Sequence, residues 1–116
     1  MRDFRKLNIW KSGIAIAKDT LLLAEKLPVR EKYGLAAQVS RASVSIPSNI
    51  AEGCSRNSCK ETVRFINIAL GSAFELETQL IIIQQMSWVP TDGISKLLSD
   101  LQKLQKQINA FRSTIR

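Results

Sequence analysis

The side chains of this sequence that could take part in chemistry form a small polar set on two predicted helices. The set consists of Arg41, Asn49, Glu52, Ser72 and Glu75. Asn49 and Glu52 are three residues apart, so they lie on one face of a helix. Carboxylates that face each other between helices could hold a metal ion or act as an acid and a base. Catalysis and the binding of an ion or small ligand are therefore two interpretations of this set.

The composition argues against both of those interpretations. Histidine is a ligand in di-iron bundles and the usual general base near neutral pH, and the chain contains none. Cys54 and Cys59 are the only cysteines, whereas a structural zinc site needs about four Cys or His ligands. We therefore expect a protein that is not an enzyme and has no cofactor or metal. The set is then a buried polar network that fixes helix register and subunit contacts.

Apolar residues recur every three or four positions in four segments, which is the spacing of amphipathic helices. The predicted helices cover about residues 5–26, 31–53, 59–87 and 92–114. Short turns join them, so the sequence predicts an all-α fold, an antiparallel up-down-up-down four-helix bundle with a single domain over residues 1–116. The apolar face of the first helix is expected to consist of Leu7, Trp10, Ile14, Ala17, Leu21 and Ala24.

Three residues predict local features of the helices. Pro47 lies inside the second predicted helix and has no backbone N–H, so we expect a kink or break there. Gly71 and Ala73 are small, so we expect them to let the third helix approach another backbone closely.

Two helices carry apolar residues outside the faces that we assign to the core. A helix that is apolar on nearly all sides is normally buried on all sides. The sequence therefore predicts an oligomer, and the alternative is a bundle that is merely wide. The candidate interface residues are Ile9, Ile16 and Leu23 in the first helix and Ile68, Phe74, Ile81 and Ile82 in the third.

Positive charge is concentrated in the first and last helices. The net charge is +7 and the pI is about 9.9. Residues 1–30 hold seven basic and three acidic side chains, and residues 91–116 hold five and two. This distribution predicts binding of RNA or a ribonucleoprotein through phosphate groups, without base recognition. The alternative is a structural scaffold whose charge serves solubility. The candidate binding residues are Arg5, Lys6, Lys11, Lys18, Lys96, Lys103, Lys106 and Arg112.

No apolar run approaches the roughly 20 residues of a membrane span. The apolar stretch near the N-terminus is soon interrupted by Lys18 and Asp19, so we find no signal peptide. We expect a cytoplasmic protein that does not bind membranes.

The polar set lies within a longer pattern. Residues 38–53 read QVSRASVSIPSNIAEG. This segment resembles the signature of the 23S rRNA intervening-sequence proteins, which are small four-helix bundles. The resemblance covers nearly the whole chain. Further matching positions are Phe4, Leu7, Ile9, Trp10, Pro28, Glu31, Tyr33, Gly34, Leu35, Phe65, Ala69, Gly71, Ser72, Glu75, Leu76 and Glu77.

The resemblance implies further properties. Members of this family form rings of five subunits, so it implies a ring-shaped homo-oligomer, a homopentamer. The family's genes lie within ribosomal RNA insertions. A similar bundle is the accessory protein of diversity-generating retroelements, where it holds nucleic acid and a reverse transcriptase on a basic surface. The resemblance therefore also favours a nucleic-acid or nucleoprotein partner.

Overall fold

The computed structural model describes residues 2–116, so Met1 of the predicted domain lies outside the described range. Over that range the chain is helical and has no strand. The long helices are α1 (Asn8–Ala24), α2 (Leu35–Cys54), α3 (Cys59–Met86) and α4 (Thr91–Ser113). The predicted starts of the first two helices, at residues 5 and 31, fall instead in short 3-10 turns at Phe4–Lys6 and Val29–Glu31.

The four helices pack as a bundle in which chain neighbours are also neighbours in space. α1 contacts α2, α2 contacts α3, α3 contacts α4, and α4 returns to contact α1. The connections at residues 55–58 and 87–90 are too short to let a helix cross the bundle. The molecule measures 43 × 24 × 20 Å. The predicted all-α class with four helices is therefore confirmed.

The core is built from the apolar faces of all four helices. On α3, the predicted face of Ile66, Ala69, Ala73, Leu76, Leu80 and Ile83 is fully buried. On α4, the predicted face is buried from Ile94 to Ile108. The Ser58 hydroxyl caps the start of α3 by accepting a hydrogen bond from the backbone N–H of Glu61 at 3.2 Å. That contact is half of a capping box, and it fixes where α3 begins.

The buried face of α1 differs from the predicted one. Ile9, Ile16 and Leu23 are 6%, 3% and 9% exposed and belong to the core, whereas Ile14 and Leu21 are 44% and 42% exposed. The surface position predicted for Ile9, Ile16 and Leu23 is therefore wrong, because these side chains are already covered within one chain.

Two small residues explain why α1 turns this face inward. Gly13 lies on it and packs against Pro47 of α2, where a Cβ on Gly13 would be 3.3 Å from the Cβ of Pro47. Thr20 is fully buried, and its hydroxyl donates to the carbonyl oxygen of Ile16 at 2.8 Å. The missing side chain lets the two helices approach, and the internal hydrogen bond makes a threonine acceptable in the core.

Pro47 and Gly71 also depart from expectation. α2 runs without interruption through Pro47, so the predicted break is wrong. Gly71 is exposed, and no heavy atom of residues 2–116 outside its own helical turn lies within 4 Å of the Cβ position. No other backbone of the described chain approaches α3 at Gly71, so that expectation is wrong within one chain.

Of the helices in residues 2–116, α3 alone has a length and composition that would suit a membrane span. The central helix of a bundle meets the same criteria. In this structure 44% of the most apolar stretch of α3 is buried inside the bundle. The apolar composition of α3 is thus explained in part by its packing against α2 and α4.

Candidate functional site

The predicted basic residues lie mainly on two adjoining helices. α1 packs against α4, and Lys103 lines the groove between them, so we call the outer surface of these two helices the basic side. Lys11 and Lys18 are exposed on α1, and Lys103 and Lys106 are exposed on α4. Phosphate groups attract exposed ammonium groups of this kind without requiring a fixed geometry.

Two carboxylates interrupt this basic side. Asp19 of α1 and Asp100 of α4 line a small groove of about 210 Å³ between the helices, together with Lys103. Lys96 donates to the Asp100 carboxylate at 2.8 Å, an ion pair with the i, i+4 spacing of helix neighbours. The hydrogen bond to Asp100 and its negative charge, with a further contribution from Asp19, raise the pKa of Lys96. The carboxylate of Asp100 therefore offsets the positive charge of Lys96, and Lys96 should attract phosphate less than Lys103 and Lys106.

The arginine candidates are engaged within the protein. Arg5 lies 3.3 Å from the carboxylate of Asp3, and its guanidinium stacks 4.5 Å above the ring of Phe4. Arg112 donates to the side-chain oxygen of Asn67 at 2.8 Å and to that of Asn109. Lys6 is exposed beside Arg5 in the 3-10 turn before α1. Arg5 and Arg112 thus have partners within the protein, whereas Lys11, Lys18, Lys103 and Lys106 belong to none of the ion pairs in residues 2–116.

The predicted polar network exists in part, between α2 and α3. The hydroxyl oxygens of Ser45 and Ser72 are 2.8 Å apart and join the two helices. The Asn49 amide donates to both the hydroxyl and the backbone carbonyl of Ser45, at 2.9 and 2.8 Å. Asn49 is therefore satisfied by a serine of its own helix and not by Arg41, Glu52 or Glu75 of the predicted set. Ser45 was absent from the predicted set although it lies one turn before Asn49.

The charged members of the predicted set do not converge. Glu52 is exposed near the end of α2 and forms an ion pair with Arg56, one turn further along. Arg41 and Glu75 are exposed and line a shallow groove of about 720 Å³ between α2 and α3, with Ser45, Asn49 and Ser72 also in its wall. Glu52 does not line that groove. A paired catalytic site of Glu52 and Glu75 is thus not assembled in one chain.

A second polar seam, between α3 and α4, was not predicted. The Glu77 carboxylate accepts hydrogen bonds from Gln102 and Gln105, each at 2.9 Å. Gln102 and Gln105 are three residues apart and directly follow the core residues Leu101 and Leu104. Two glutamines with this spacing, each next to a core leucine, lie at the edge of the buried face. This pattern could have identified them as partners of a polar group on a neighbouring helix.

Gln79 of α3 is a buried polar side chain that faces α2. It is 6% exposed, and its amide nitrogen donates to Gln38 of α2 at 3.5 Å. Its side-chain oxygen has no hydrogen-bond partner in residues 2–116. An unpaired buried carbonyl is unfavourable, so Gln79 lowers the stability of this part of the bundle.

The cysteines lie at the end of the bundle where α2 passes to α3. Cys54 is buried and Cys59 is exposed, both are free thiols, and both line one cavity. Burial raises the pKa of the Cys54 thiol, and the positive charge of Arg2 partly opposes that shift. Over residues 2–116, no group of three or more Cys, Asp or Glu side chains is placed to hold a metal ion.

The exposed apolar residues of α3 form a face of their own. Ile68, Phe74 and Ile82 are 41%, 52% and 44% exposed, and Ile81 is also exposed. These four predicted interface residues are thus on the surface of the single chain, unlike the three on α1.

Comparison with known proteins identifies the fold and the family. The family model described as the 23S rRNA-intervening sequence protein matches residues 5–110. A crystal structure of a protein of unknown function from Bacteroides thetaiotaomicron, assigned to the S23 ribosomal protein family, superposes with a TM-score of 0.82. It is 22% identical in sequence, and the match covers 90% of this chain and 97% of that one. A comparison with curated proteins gave no match. Because the family model spans most of the sequence, this chain belongs to the 23S rRNA-intervening sequence protein family.

Proposed function

We propose that this protein is a non-enzymatic, self-associating helical bundle that binds RNA or a ribonucleoprotein through phosphate groups. The observation that carries the proposal is the placement of charge. The two segments with the largest positive excess, residues 1–30 and 91–116, contain α1 and α4, which pack side by side. Their charges therefore add on one side of the molecule instead of being spread around it.

The kind of side chain supports binding that does not depend on nucleotide sequence. Lys11, Lys18, Lys103 and Lys106 are exposed ammonium groups on flexible stems, and such groups bind phosphates as point charges. Trp10 and Phe111 pack partly against the core, so they are not free to stack on bases. Phosphate contacts without base contacts give affinity but little sequence preference.

Asp19 and Asp100 favour weak binding. They lie in the groove between the two basic helices, and Asp100 already neutralises Lys96. The proposed interaction is therefore weak at physiological salt and strongly salt-dependent. The family name and the ribosomal-protein family of the Bacteroides structure agree with an RNA-related role.

Self-association is supported by the exposed apolar face of α3. Large apolar side chains grouped on one helix face of a soluble bundle usually mark an interface. A ring of several copies would repeat the basic side and strengthen its attraction for a polyanion.

The test is RNA binding measured by fluorescence anisotropy at several salt concentrations. We expect log affinity to fall linearly with log salt, and the double variant K103Q/K106Q to reduce both the affinity and the slope. The matched control K32Q/K60Q removes the same charge from exposed lysines outside α1 and α4. Equal effects of the two double variants would contradict a specific basic side.

The alternative function is a scaffold that binds proteins and not nucleic acid. The carboxylates in the basic groove and the apolar face of α3 favour it. In that case RNA binding would be undetectable even at low salt, and the wild-type chain would still assemble.

A further inference from the structure

Tyr33 is the aromatic residue that the fold leaves most exposed. It is 87% exposed, compared with 52% for Phe74 of α3, and the other aromatic residues of the described chain are all partly covered. Tyr33 lies in the α1–α2 connection, residues 25–34. Its ring is a flat apolar surface with a polar tip, which is the kind of side chain that interfaces often use.

Hydrogen bonds hold the α1–α2 connection in shape around Tyr33. The backbone N–H of Glu31 donates to the carbonyl oxygen of Pro28 at 2.8 Å, and that of Gly34 donates to the carbonyl oxygen of Glu31 at 3.0 Å. The Glu31 carboxylate accepts a hydrogen bond from the backbone N–H of Leu35, at the start of α2, at 3.3 Å. Tyr33 is therefore presented on an ordered segment, which lowers the entropy lost when a partner binds.

The α1–α2 connection lies at one end of the basic side. The guanidinium of Arg30 is 5.7 Å from the ring centre of Trp88, in the turn that leads into α4. Lys26 and the first turns of α4 line one cavity of about 510 Å³. Lys18 lies six residues before the end of α1, which is about 9 Å along the helix. A strand bound along α1 can therefore continue onto this connection.

The charges around Tyr33 suit a polyanion. The ammonium group of Lys32 lies 5.5 Å from the centre of the Tyr33 ring. Lys26 and Arg30 are also exposed, and none of these three cations belongs to an ion pair in residues 2–116. The connection has two carboxylates, and one of them, that of Glu31, is already a hydrogen-bond acceptor. An open aromatic ring beside unpaired cations is complementary to a nucleotide, which has a planar base and a phosphate.

We propose that Tyr33 stacks on an unpaired base of single-stranded RNA while Lys32 binds a neighbouring phosphate. The ring has two faces, so a base can occupy one face while the ammonium group lies over the other. Bases are free to stack on a side chain in single strands, loops and ends. The proposal rests on the proposed function, and it names the kind of RNA that the basic side would bind.

Other partners fit this surface less well. Duplex RNA offers phosphates, but its bases are stacked on one another and would not reach Tyr33. An apolar protein surface would cover the ring, but it would remove Lys26, Arg30 and Lys32 from water without giving them partners. Stacking on an aromatic ring tolerates every base, so this contact agrees with binding that has little sequence preference.

The test is fluorescence anisotropy with a short unstructured RNA strand and with the blunt duplex of the same sequence. We expect Tyr33→Ala to weaken binding of the single strand about fivefold or more and to leave binding of the duplex unchanged. Tyr33→Phe keeps the ring and should bind like the wild-type chain. Val29→Ala is the matched control, because Val29 is 89% exposed in the same connection but is not aromatic. It should change neither affinity.

The dependence on salt separates this proposal from the proposed function. Tyr33→Ala removes no charge, so the slope of log affinity against log salt should stay that of the wild-type chain. If the wild-type chain binds RNA and Tyr33→Ala binds the single strand equally well, stacking is wrong while phosphate binding stands. Equal losses for the single strand and the duplex would also contradict stacking. A wild-type chain that binds neither RNA at low salt would overturn both proposals.

Light scattering during size exclusion gives a further check on the same variants. Tyr33→Ala should keep the mass of the wild-type chain, because the proposed partner of the ring is RNA. A change of mass would show that Tyr33 belongs to a contact between subunits and would contradict the proposal.

Discussion

The hydroxyl groups of Ser45 and Ser72, 2.8 Å apart, form the polar link between α2 and α3, and the same Ser45 hydroxyl accepts a hydrogen bond from Asn49. Ser45→Ala would leave both partners without this contact. We expect the free energy of unfolding to fall by about 0.5–1.5 kcal/mol, the usual net contribution of a hydrogen bond, because these groups line a groove that is open to solvent.

Urea denaturation followed by circular dichroism would measure this change. Ser48→Ala is the control, because Ser48 is exposed on the same helix and its effect should stay within about 0.5 kcal/mol. Equal effects of the two substitutions would show that the link contributes no stability.

The contact between Gly13 and Pro47 predicts that an added methyl group acts differently in two glycine positions. Gly93 is exposed in α4 with open space around it, so Gly93→Ala should raise the free energy of unfolding by about 0.5–1 kcal/mol. Gly13→Ala gains the same helix preference but presses on Pro47. It should be less stable than Gly93→Ala by about 1 kcal/mol or more. Thermal unfolding of both variants checks this, and equal stabilisation would contradict a tight α1–α2 contact.

The orientation of α1 can be tested by truncating one residue from each of its faces. Ile16 is 3% exposed and Ile14 is 44% exposed. Ile16→Ala should lower the free energy of unfolding by about 2–4 kcal/mol, because it opens a cavity in the core. Ile14→Ala should lower it by less than about 1 kcal/mol. Chemical denaturation gives both values, and the reverse order would restore the face predicted from sequence.

The carboxylates between α1 and α4 should limit RNA binding. The double variant D19N/D100N removes two negative charges from the basic side and frees Lys96. We expect RNA affinity at low salt to rise about threefold or more, with a steeper dependence on salt. Lys96→Gln alone should change little, because Lys96 is already paired. Anisotropy titrations would measure these affinities. Unchanged affinity of D19N/D100N would contradict RNA binding on the surface of α1 and α4.

The two thiols should differ in reactivity because only the thiolate form is nucleophilic. Cys54 is buried and its pKa is raised by that burial, whereas Cys59 is exposed. Iodoacetamide should modify Cys59 at least about tenfold faster than Cys54 near pH 8. The rate at Cys54 should continue to rise above the pKa of about 8.5 of an ordinary thiol. Mass spectrometry of peptides at several pH values would measure both rates, and equal rates would contradict the burial of Cys54.

The sequence predicts α4 well because its apolar residues leave one choice of buried face. On α4, every leucine and isoleucine from Ile94 to Ile108 is buried in the structure. The positions between them are all polar or charged. Periodicity is decisive where the alternative face is polar.

α1 could not be oriented in the same way. Two apolar stripes run along it and share Ala17, one through Ile14 and Leu21 and the other through Ile9, Ile16 and Leu23. The choice depends on Gly13 and Thr20, which do not count as core residues in a periodicity analysis. Gly13 suits the buried face because Pro47 of α2 packs against it, and the pattern of α1 alone does not contain that information.

The polar groups show a similar limit. The sequence indicates that Asn49 and Ser72 belong to a network, but the partner of Ser72 depends on the relative register of α2 and α3. Only when that register is known is it clear that Ser45 bonds to Ser72. The same register decides that the side-chain oxygen of Gln79 has no partner in residues 2–116.

Pro47 has a consequence for how the bundle moves. Because this residue has no N–H, it cannot donate to the carbonyl oxygen of Ser43. One backbone hydrogen bond is therefore missing in the middle of α2. Local unfolding of the last turns of α2, from Pro47 to Cys54, should therefore cost less free energy than local unfolding of an equal stretch of α3. Amide hydrogens of residues 51–54 should accordingly exchange with solvent as a separate, less protected unit than those at the centre of α3. Pro47 also packs against Gly13 of α1, so exchange in this segment should rise when Gly13→Ala disturbs that contact.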